Sequence, residues 1–170
     1  MSRKKTLLIV WHSRTGAARQ MADAARQGAE DVATELQAHD QIDIIVKRAR
    51  DADADDLLGA DGYVFCAPEN LASLSGEMKE FFDRNYYAVL EQLNGRPYVL
   101  LISAGSDGSM AAKQAARICT GWRLSEAAPT LIVNMQAQTA EEIWAPKQIT
   151  EQHRADCHEK GGTVAALLLL

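Results

Sequence analysis

The sequence is poor in cysteine and has no long apolar run. Its 170 residues include three cysteines, Cys66, Cys119 and Cys157, which are odd in number and too far apart for a disulfide framework. The basic opening MSRKK precedes an apolar run that is too short for a signal peptide. The apolar end of the chain, 164–170, is far below the ~20 residues that span a bilayer. We therefore expect reduced thiols, no membrane span and a cytoplasmic location.

An excess of basic residues is also missing. The formal net charge of −5 argues against a nucleic-acid-binding protein, which would present a basic face. This acidic excess is milder than we expect of a protein that docks electrostatically on many partners. With 47% hydrophobic and 24% charged residues the composition is that of an ordinary globular protein. The length predicts a single domain, residues 1–170.

What the chain does contain is an alternation of two apolar patterns. Runs rich in β-branched residues predict five strands, at 6–11, 42–47, 62–66, 97–103 and 131–134. Between them apolar residues recur every three or four positions, which predicts helices. Strands that alternate with helices pair in parallel through right-handed crossovers, so we predict a doubly wound α/β fold. The second strand partly alternates between apolar and polar residues, which favours a position at the edge of the sheet.

Ligands of such folds bind beyond the carboxyl ends of the strands, which directs attention to the loops after Val10, Phe65 and Ile102. The first loop, in WHSRTGAARQM, contains Ser13, Thr15 and a glycine just before a helix. Amides at a helix start and the positive end of the helix dipole favour a phosphate. The chain has neither G-x-G-x-x-G nor G-x-x-x-x-G-K-[ST]. A phosphate site is therefore predicted here, with ordinary helix capping as the alternative.

The stretch SRTG after a buried first strand resembles the phosphate loop of the flavodoxin-like superfamily, [ST]-x-T-G-x-[ST]. The resemblance implies that this loop surrounds the terminal phosphate of FMN. The residues that it assigns to FMN are Ser13, Arg14, Thr15, Gly16, Ala17 and Ala18. Ala18 stands where the family usually has a hydroxyl, so one hydrogen bond to the phosphate is lost. Arg14 or Arg19 can compensate with charge.

The second loop carries the most specific match. The segment from Cys66 through GEMKEFFDRNYY resembles G-[ST]-P-T-[RY]-x-x-x-[SA]-G-x-[ML]-K-x-F-x-D-R of the quinone-reductase branch, which includes the Trp-repressor-binding-protein type. The residues that agree in register are Pro68, Ser75, Gly76, Met78, Lys79, Phe81, Asp83 and Arg84. The resemblance implies that the flavin ring lies against Pro68, Glu69, Asn70, Leu71 and Ala72. Since Glu69 and Asn70 depart from the family pattern and this loop has no aromatic residue, we expect a weaker flavin site or one of more negative potential.

The third loop is similar to the family's [ST]-x-G-x-x-G loops, although glycine, serine and aspartate clusters by themselves indicate only a turn. The resemblance implies that Ser103, Ala104, Gly105 and Gly108 approach the other edge of the flavin. It also implies a flavodoxin-like three-layer α/β/α sandwich whose five-stranded parallel sheet has the order 2-1-3-4-5. It covers nearly the whole chain, 5–168.

Several conspicuous residues outside these motifs receive structural interpretations. His12 is interpreted as a surface-loop histidine, with an approach to a phosphate or flavin as the alternative. Cys66 and Trp122 are assigned to core packing. The pattern does not decide which of Tyr86 and Tyr87 is buried and which is part of a dimer surface. No metal site is predicted.

The resemblance implies an FMN-dependent oxidoreductase that takes hydride from NADH or NADPH and passes electrons to a small quinone-like acceptor, with a homodimer as a possible assembly. The flavin carries the chemistry, so no catalytic side chain is assigned. Two alternatives stay open. One is an electron-transfer flavodoxin, which is a carrier and not an enzyme. The other is a protein of this fold with weak or lost FMN binding that acts in binding or regulation.

Overall fold

The computed structural model describes residues 3–170; residues 1–2, with which the predicted domain begins, lie outside this range. The strands are β1 (Lys5–Trp11), β2 (Ile42–Arg48), β3 (Gly62–Asn70), β4 (Ser73–Leu74), β5 (Pro97–Ala104), β6 (Ser125–Glu126) and β7 (Leu131–Asn134). The helices are α1 (Ala17–Glu35), α2 (Ala54–Gly59), α3 (Gly76–Val89), α4 (Ser109–Gly121), α5 (Ala140–Trp144) and α6 (Glu151–Leu169). A 3-10 turn, Ala49–Asp51, follows β2. Within the described range no helix combines the length and apolar character needed to cross a bilayer.

The predicted sheet order is confirmed. Strands β2, β1, β3 and β5 lie side by side in parallel, and β6 and β7 both pair with β5, so together they occupy the fifth position. Strand β2 pairs only with β1, which confirms its predicted place at one edge. The short strand β4 was not predicted and pairs antiparallel with the end of β3.

The sheet is covered by helices on both faces, which explains why its central strands are continuously apolar. Successive side chains of a strand point to opposite faces. Leu8 and Val10 therefore face a core shared with α2, α3 and α4, while Leu7 and Ile9 face a core shared with α1 and α6. Each fully buried side chain of this size contributes about 1.5–3 kcal/mol of hydrophobic free energy. Because both faces of the sheet are buried, each strand is held in its register and its carboxyl end has a fixed position at the edge of the sheet.

Aromatic side chains fill the centre of the first of these cores. The rings of Phe65, Phe81, Phe82 and Trp122 approach one another edge-on or tilted, with the centroids of Phe82 and Trp122 5.1 Å apart. These are the geometries that aromatic pairs prefer. The predicted core position of Trp122 is confirmed, since the side chain is 3% exposed. Tyr86 and Tyr87 are both exposed, because the buried face of α3 continues through Asn85 and Val89.

Helices α1 and α6 pack on the same face of the sheet and touch through glycines. A Cβ atom on Gly161 would lie 1.9 Å from the carbonyl oxygen of Ala25, and one on Gly28 would lie 1.9 Å from the carbonyl oxygen of His158. The missing side chains let the two backbones approach more closely than any other residue would allow. This crossing holds α6, and the segment that precedes it, close to α1.

We predict that Gly161→Ala lowers the free energy of unfolding by about 3 kcal/mol, because the new methyl group overlaps backbone that cannot move without separating the helices. Urea denaturation of the two proteins measures the effect. The matched control is Gly121→Ala in the last turn of α4, where a Cβ atom meets nothing within 4 Å. That variant is expected to change stability by less than about 1 kcal/mol. Equal effects of the two substitutions would contradict the close crossing.

Candidate functional site

A cleft of about 880 Å³ opens at the carboxyl ends of the parallel strands. This volume lies within the ~300–1,000 Å³ that small-molecule sites usually occupy. Of the residues assigned to FMN from the sequence, those that line the cleft are Ser13, Arg14, Thr15, Ala17, Pro68, Glu69, Asn70, Ser103, Ala104 and Gly105. The three loops that were predicted to converge do lie around one cavity.

The remaining residues of that set do not line the cleft. Ala18 is buried in the core, where its carbonyl oxygen accepts a hydrogen bond from the Cys66 thiol at 3.1 Å. Gly108 precedes α4 at a φ of 80°, and a Cβ atom there would lie 2.8 Å from the Cβ of Ala104. Leu71 and Ala72 form the tip of a hairpin, and Leu71 is 100% exposed. A Cβ atom on Gly16 would lie 3.6 Å from Gln20 Nε2 and from the Lys147 carbonyl oxygen, so this residue faces Gln20 and Lys147.

At the first loop the start of α1 leaves backbone amides without acceptors among the described residues, and of these residues Ala17 lines the cleft. Gly16 adopts a φ of 104°, which glycine tolerates best, and its amide donates to Ser13 Oγ at 3.1 Å. Helix α1 begins at the next residue, so the amides of Ala17 and Ala18 have no carbonyl one turn earlier in the helix. The described residues offer these two amides no other acceptor. Together with the helix dipole they form a place for an anion.

The second loop is a β-hairpin and not the open loop that the sequence suggests. Strand β3 continues past Cys66 to Asn70, because Ala67 and Pro68 still pair with β5. The turn residues Leu71 and Ala72 have φ values of 52° and 64°, a conformation that glycine and asparagine usually supply. Glu69 stabilises it, since its carboxylate accepts from the Ala72 amide at 2.6 Å. The wall formed by Pro68, Glu69 and Asn70 is therefore held by strand pairing.

A fourth wall, the segment from Met135 to Lys147, was not predicted. The amides of Met135 and Ala137 donate to the carbonyl oxygens of Ala104 and Gly105 at 2.7 and 2.8 Å. At its other end the Lys147 amide donates to the Thr15 carbonyl oxygen at 2.7 Å. The segment thus spans from the third loop to the first. A sequence signal was present in T-A-E-E at 139–142, which forms a capping box at the start of α5.

Helix α5 brings two large apolar side chains to the cleft. Ile143 and Trp144 both line it, and Trp144 is 79% exposed. The Lys147 ammonium group fixes the end of this helix, because it donates to the carbonyl oxygens of Glu142 and Ala145 at 2.6 Å each and of Ile143 at 3.1 Å. The indole ring is available to cover a planar ligand.

Gln20 fastens the fourth wall to the first loop. Its side-chain amide nitrogen donates to the carbonyl oxygens of Gly16 at 3.0 Å and Lys147 at 2.7 Å, and its oxygen accepts from the Ile149 amide at 3.2 Å. One side chain on the first turns of α1 therefore ties together residues far apart in the chain. Because these bonds use backbone groups, the side chains of the loops stay free for a ligand.

His12 lies in the wall of the cleft, and the interpretation of it as a surface-loop histidine is wrong. The residue is 6% exposed, because the end of β1 packs against the start of α3. Its Nδ1 lies 2.7 Å from the Ser75 hydroxyl oxygen, and its Nε2 lies 3.9 Å from a Glu77 carboxylate oxygen. Arg48 holds the same carboxylate through two hydrogen bonds of 2.9 and 3.2 Å. A sequence pattern cannot reveal this burial, since the contacts come from distant segments.

Burial, more than the charges of this cluster, keeps His12 neutral near neutral pH. Burial lowers the pKa of the imidazole, and the charges of Arg48 and Arg14 lower it further, while Glu77 acts in the opposite direction. Burial acts to raise the pKa of Glu77, but the hydrogen bonds and charge of Arg48 outweigh it and leave that pKa lowered. The carboxylate is therefore ionised, and it favours the tautomer with hydrogen on Nε2.

The carboxylates at the cleft are engaged, whereas one of its cations is not. Glu77 is bound by Arg48, and Glu69 accepts from the Ala72 amide. Arg14 forms no ion pair with any carboxylate among the described residues. Although the chain carries a net charge of −5, the end of the cleft at the first loop attracts anions.

We predict that the free energy of unfolding falls as pH decreases below about 6.5, the ordinary value for histidine, because the unfolded chain then binds a proton at His12 that the folded chain does not. In His12→Gln this part of the pH dependence disappears. Urea denaturation of both proteins at a series of pH values measures the difference, with the exposed His39→Gln as the control that retains the slope. Identical slopes for wild type and His12→Gln would contradict the description of His12 as neutral and buried.

Comparisons with known proteins agree with this architecture. A family model described as NADPH-dependent FMN reductase matches residues 5–138. A flavodoxin of Aquifex aeolicus (strain VF5) is 26% identical over 102 residues, which cover 60% of this chain and 51% of that protein. The match thus spans about half the length of the curated relative.

Solved structures resemble the whole chain. A flavodoxin from the domain Archaea matches with a TM-score of 0.77 and 18% identity over 97% of this chain and 99% of that one. The flavodoxin, WrbA-like protein from Agrobacterium tumefaciens matches with a TM-score of 0.68 and 16% identity over 98% of both chains. At such identities the likeness concerns the fold, and it confirms the predicted flavodoxin-like architecture.

Proposed function

The chain belongs to the NADPH-dependent FMN reductase family, and we propose that it binds FMN in the cleft, takes hydride from NADPH or NADH and delivers electrons to a small quinone-like acceptor. Bound FMN would supply the redox chemistry, since a flavin accepts hydride and passes electrons on. The protein's part is to bind the cofactor, orient it and restrict access of water to it.

The observation that carries this proposal is the start of α1, where the amide of the cleft-lining Ala17 finds no acceptor among the described residues. A phosphate ester in the cleft would accept from this amide, gain from the helix dipole and lie beside Arg14. Ala18 offers no hydroxyl and does not line the cleft, so the contacts of this loop come from Ser13, Arg14, Thr15 and Ala17. The hydroxyls of Ser13 and Thr15 are at hand to donate as well.

The ring system would lie between the hairpin and the third loop. Pro68, Glu69 and Asn70 form one side and Ser103 to Gly105 form the other. Small residues at Ala104 and Gly105 allow close approach of backbone to a planar ligand. We propose that Trp144, from the fourth wall, supplies the aromatic contact that the hairpin lacks. This assignment makes α5 part of the cofactor site.

Catalysis by a protein nucleophile is not part of the proposal. Cys66 lies in β3, two residues before the cleft-lining Pro68. Its thiol is buried, and burial raises the pKa of this thiol well above the ordinary value. It is therefore a thiol and not a reactive thiolate. The protein itself would therefore bind the cofactor and supply charge beside it.

A second candidate is an electron-transfer flavodoxin, which the name of the Aquifex aeolicus relative supports. A carrier of this kind docks on its partners through an acidic rim. At this cleft the two carboxylates are engaged and Arg14 is free, so the oxidoreductase is the better supported function.

We predict that the purified protein binds FMN and that NADPH or NADH, in the absence of oxygen, bleaches the absorption band of the bound flavin, which an added quinone restores. Titration of the apoprotein followed by mixing experiments measures both steps. Binding of FMN without bleaching by either nucleotide would favour the carrier. An affinity weaker than about 0.1 mM, or some 5.5 kcal/mol, would favour a protein of this fold that has lost its cofactor.

We predict that Trp144→Ala weakens FMN binding by about three- to tenfold, the equivalent of one aromatic contact. The matched control is Tyr87→Ala, which removes an aromatic side chain that is 83% exposed on α3 and does not line the cleft. Fluorescence titration with FMN gives the two dissociation constants. Equal affinities in both variants and in wild type would show that α5 does not cover the cofactor.

A further inference from the structure

We propose that His12 takes up a proton when a phosphate ester binds at the neighbouring loop, so that the positive charge needed to hold the anion is created by the binding itself. The proposal rests on the proposed function, because it takes FMN as the ligand. It makes His12 a binding residue whose charge depends on occupancy of the site. It also assigns a function to the polar cluster of His12, Ser75, Glu77 and Arg48, which the redox chemistry does not require.

The position of His12 supports this role. The imidazole lines the same cleft as Ser13 and Thr15, and it directly precedes the first of them in the chain. Its side chain is 8% exposed, so a charge on it is screened little by water. A buried titratable group in the wall of an anion site responds strongly to the charge of the ligand.

The hydrogen bond of the imidazole with Ser75 and its contact with Glu77 allow protonation without movement of heavy atoms. In the neutral tautomer Nε2–H faces the Glu77 carboxylate, at 3.9 Å, and Nδ1 accepts from the Ser75 hydroxyl, at 2.7 Å. The added proton goes to Nδ1. The Ser75 oxygen then accepts where its hydroxyl donated before, which a hydroxyl group can do by rotation. Both nitrogens of the cation are therefore directed at acceptors.

Burial is the main reason why His12 stays neutral in the ligand-free site, and the charges that face it act in both directions. Glu77 on α3 favours the cation, whereas Arg48 at the end of β2 and Arg14 in the loop oppose it, as does burial. Ser75, at the start of α3, is uncharged. A phosphate dianion beside Arg14 offsets the repulsion from the two guanidinium groups. The balance then shifts to the protonated imidazole, and a proton is taken from the solvent.

The test is the number of protons exchanged when FMN binds, obtained by calorimetry at about pH 7 in buffers of different ionisation enthalpy. Whether protons are taken up or released distinguishes a change in the protein from a change in the ligand. A phosphate monoester has its second pKa near about 6, so binding of its dianion by itself releases protons. Net uptake must come from the protein. Riboflavin, which has no phosphate, is the ligand control and is expected to bind with no uptake.

We predict that wild type takes up about half a proton or more per FMN and that His12→Gln takes up none or releases protons. The matched control is His39→Gln, which removes an exposed histidine that does not line the cleft and is expected to behave as wild type. Equal proton numbers for wild type and His12→Gln would overturn the proposal. A merely structural role of His12 would change affinity or stability but not the proton number.

A measurement on wild type alone keeps the test independent of how the variant folds. NMR of histidine labelled with ¹³C at Cε1 follows the titration of His12 in the free and the FMN-saturated protein. The proposal expects a higher pKa in the complex, and an equal or lower one would overturn it. If FMN binds and no proton follows, only this proposal fails. If FMN does not bind to wild type, the proposed function fails as well.

Discussion

The free amides at the start of α1 are the constraint on which the rest of the site depends. A helix that follows the carboxyl end of a buried parallel strand directs its first amides beyond the edge of the sheet, where no strand can accept from them. Gly16, at a φ of 104°, makes that entry sharp, and the described residues leave the amides of Ala17 and Ala18 without an acceptor. An anion is the simplest way to satisfy them. The other walls of the cleft are arranged around the start of α1.

Long-range backbone hydrogen bonds hold those walls in place. Lys147 donates to Thr15, Met135 donates to Ala104, and Gln20 binds backbone groups on both sides of the cleft. The glycine contact between α1 and α6 supports the same arrangement, because it holds α6 against the helix that begins at the first loop. Stability and site geometry are thus coupled through α1. The electrostatics follow the same logic, since the carboxylates at the cleft are engaged and Arg14 is free of any described ion pair.

Much of this arrangement could be predicted from local patterns. Two-sided burial makes a strand apolar at every position, so β1, β3 and β5 were visible as runs, and the edge strand β2 was visible as a partial alternation. The positions of the first and third loops followed from where those runs end. The hairpin that ends β3 was missed, because Pro68, Glu69 and Asn70 have the composition of a loop while the pairing of Ala67 and Pro68 with β5 extends the strand. The short helix α5 was missed for a similar reason, since its residues are nearly all exposed and show no apolar stripe.

The sequence by itself determined the fold class and three of the four walls of the cleft, because these depend on periodicity and on residues close together in the chain, whereas the strand order came from the resemblance to the flavodoxin-like superfamily. Only the tertiary structure decided which side chains reach the cavity. It buried His12 between Ser75 and Glu77, placed Ala18 in the core and brought Trp144 to the cleft from a segment more than a hundred residues beyond the first loop. The physical reason is that burial and charge at a site are sums over neighbours in space, and a sequence pattern reports only neighbours along the chain.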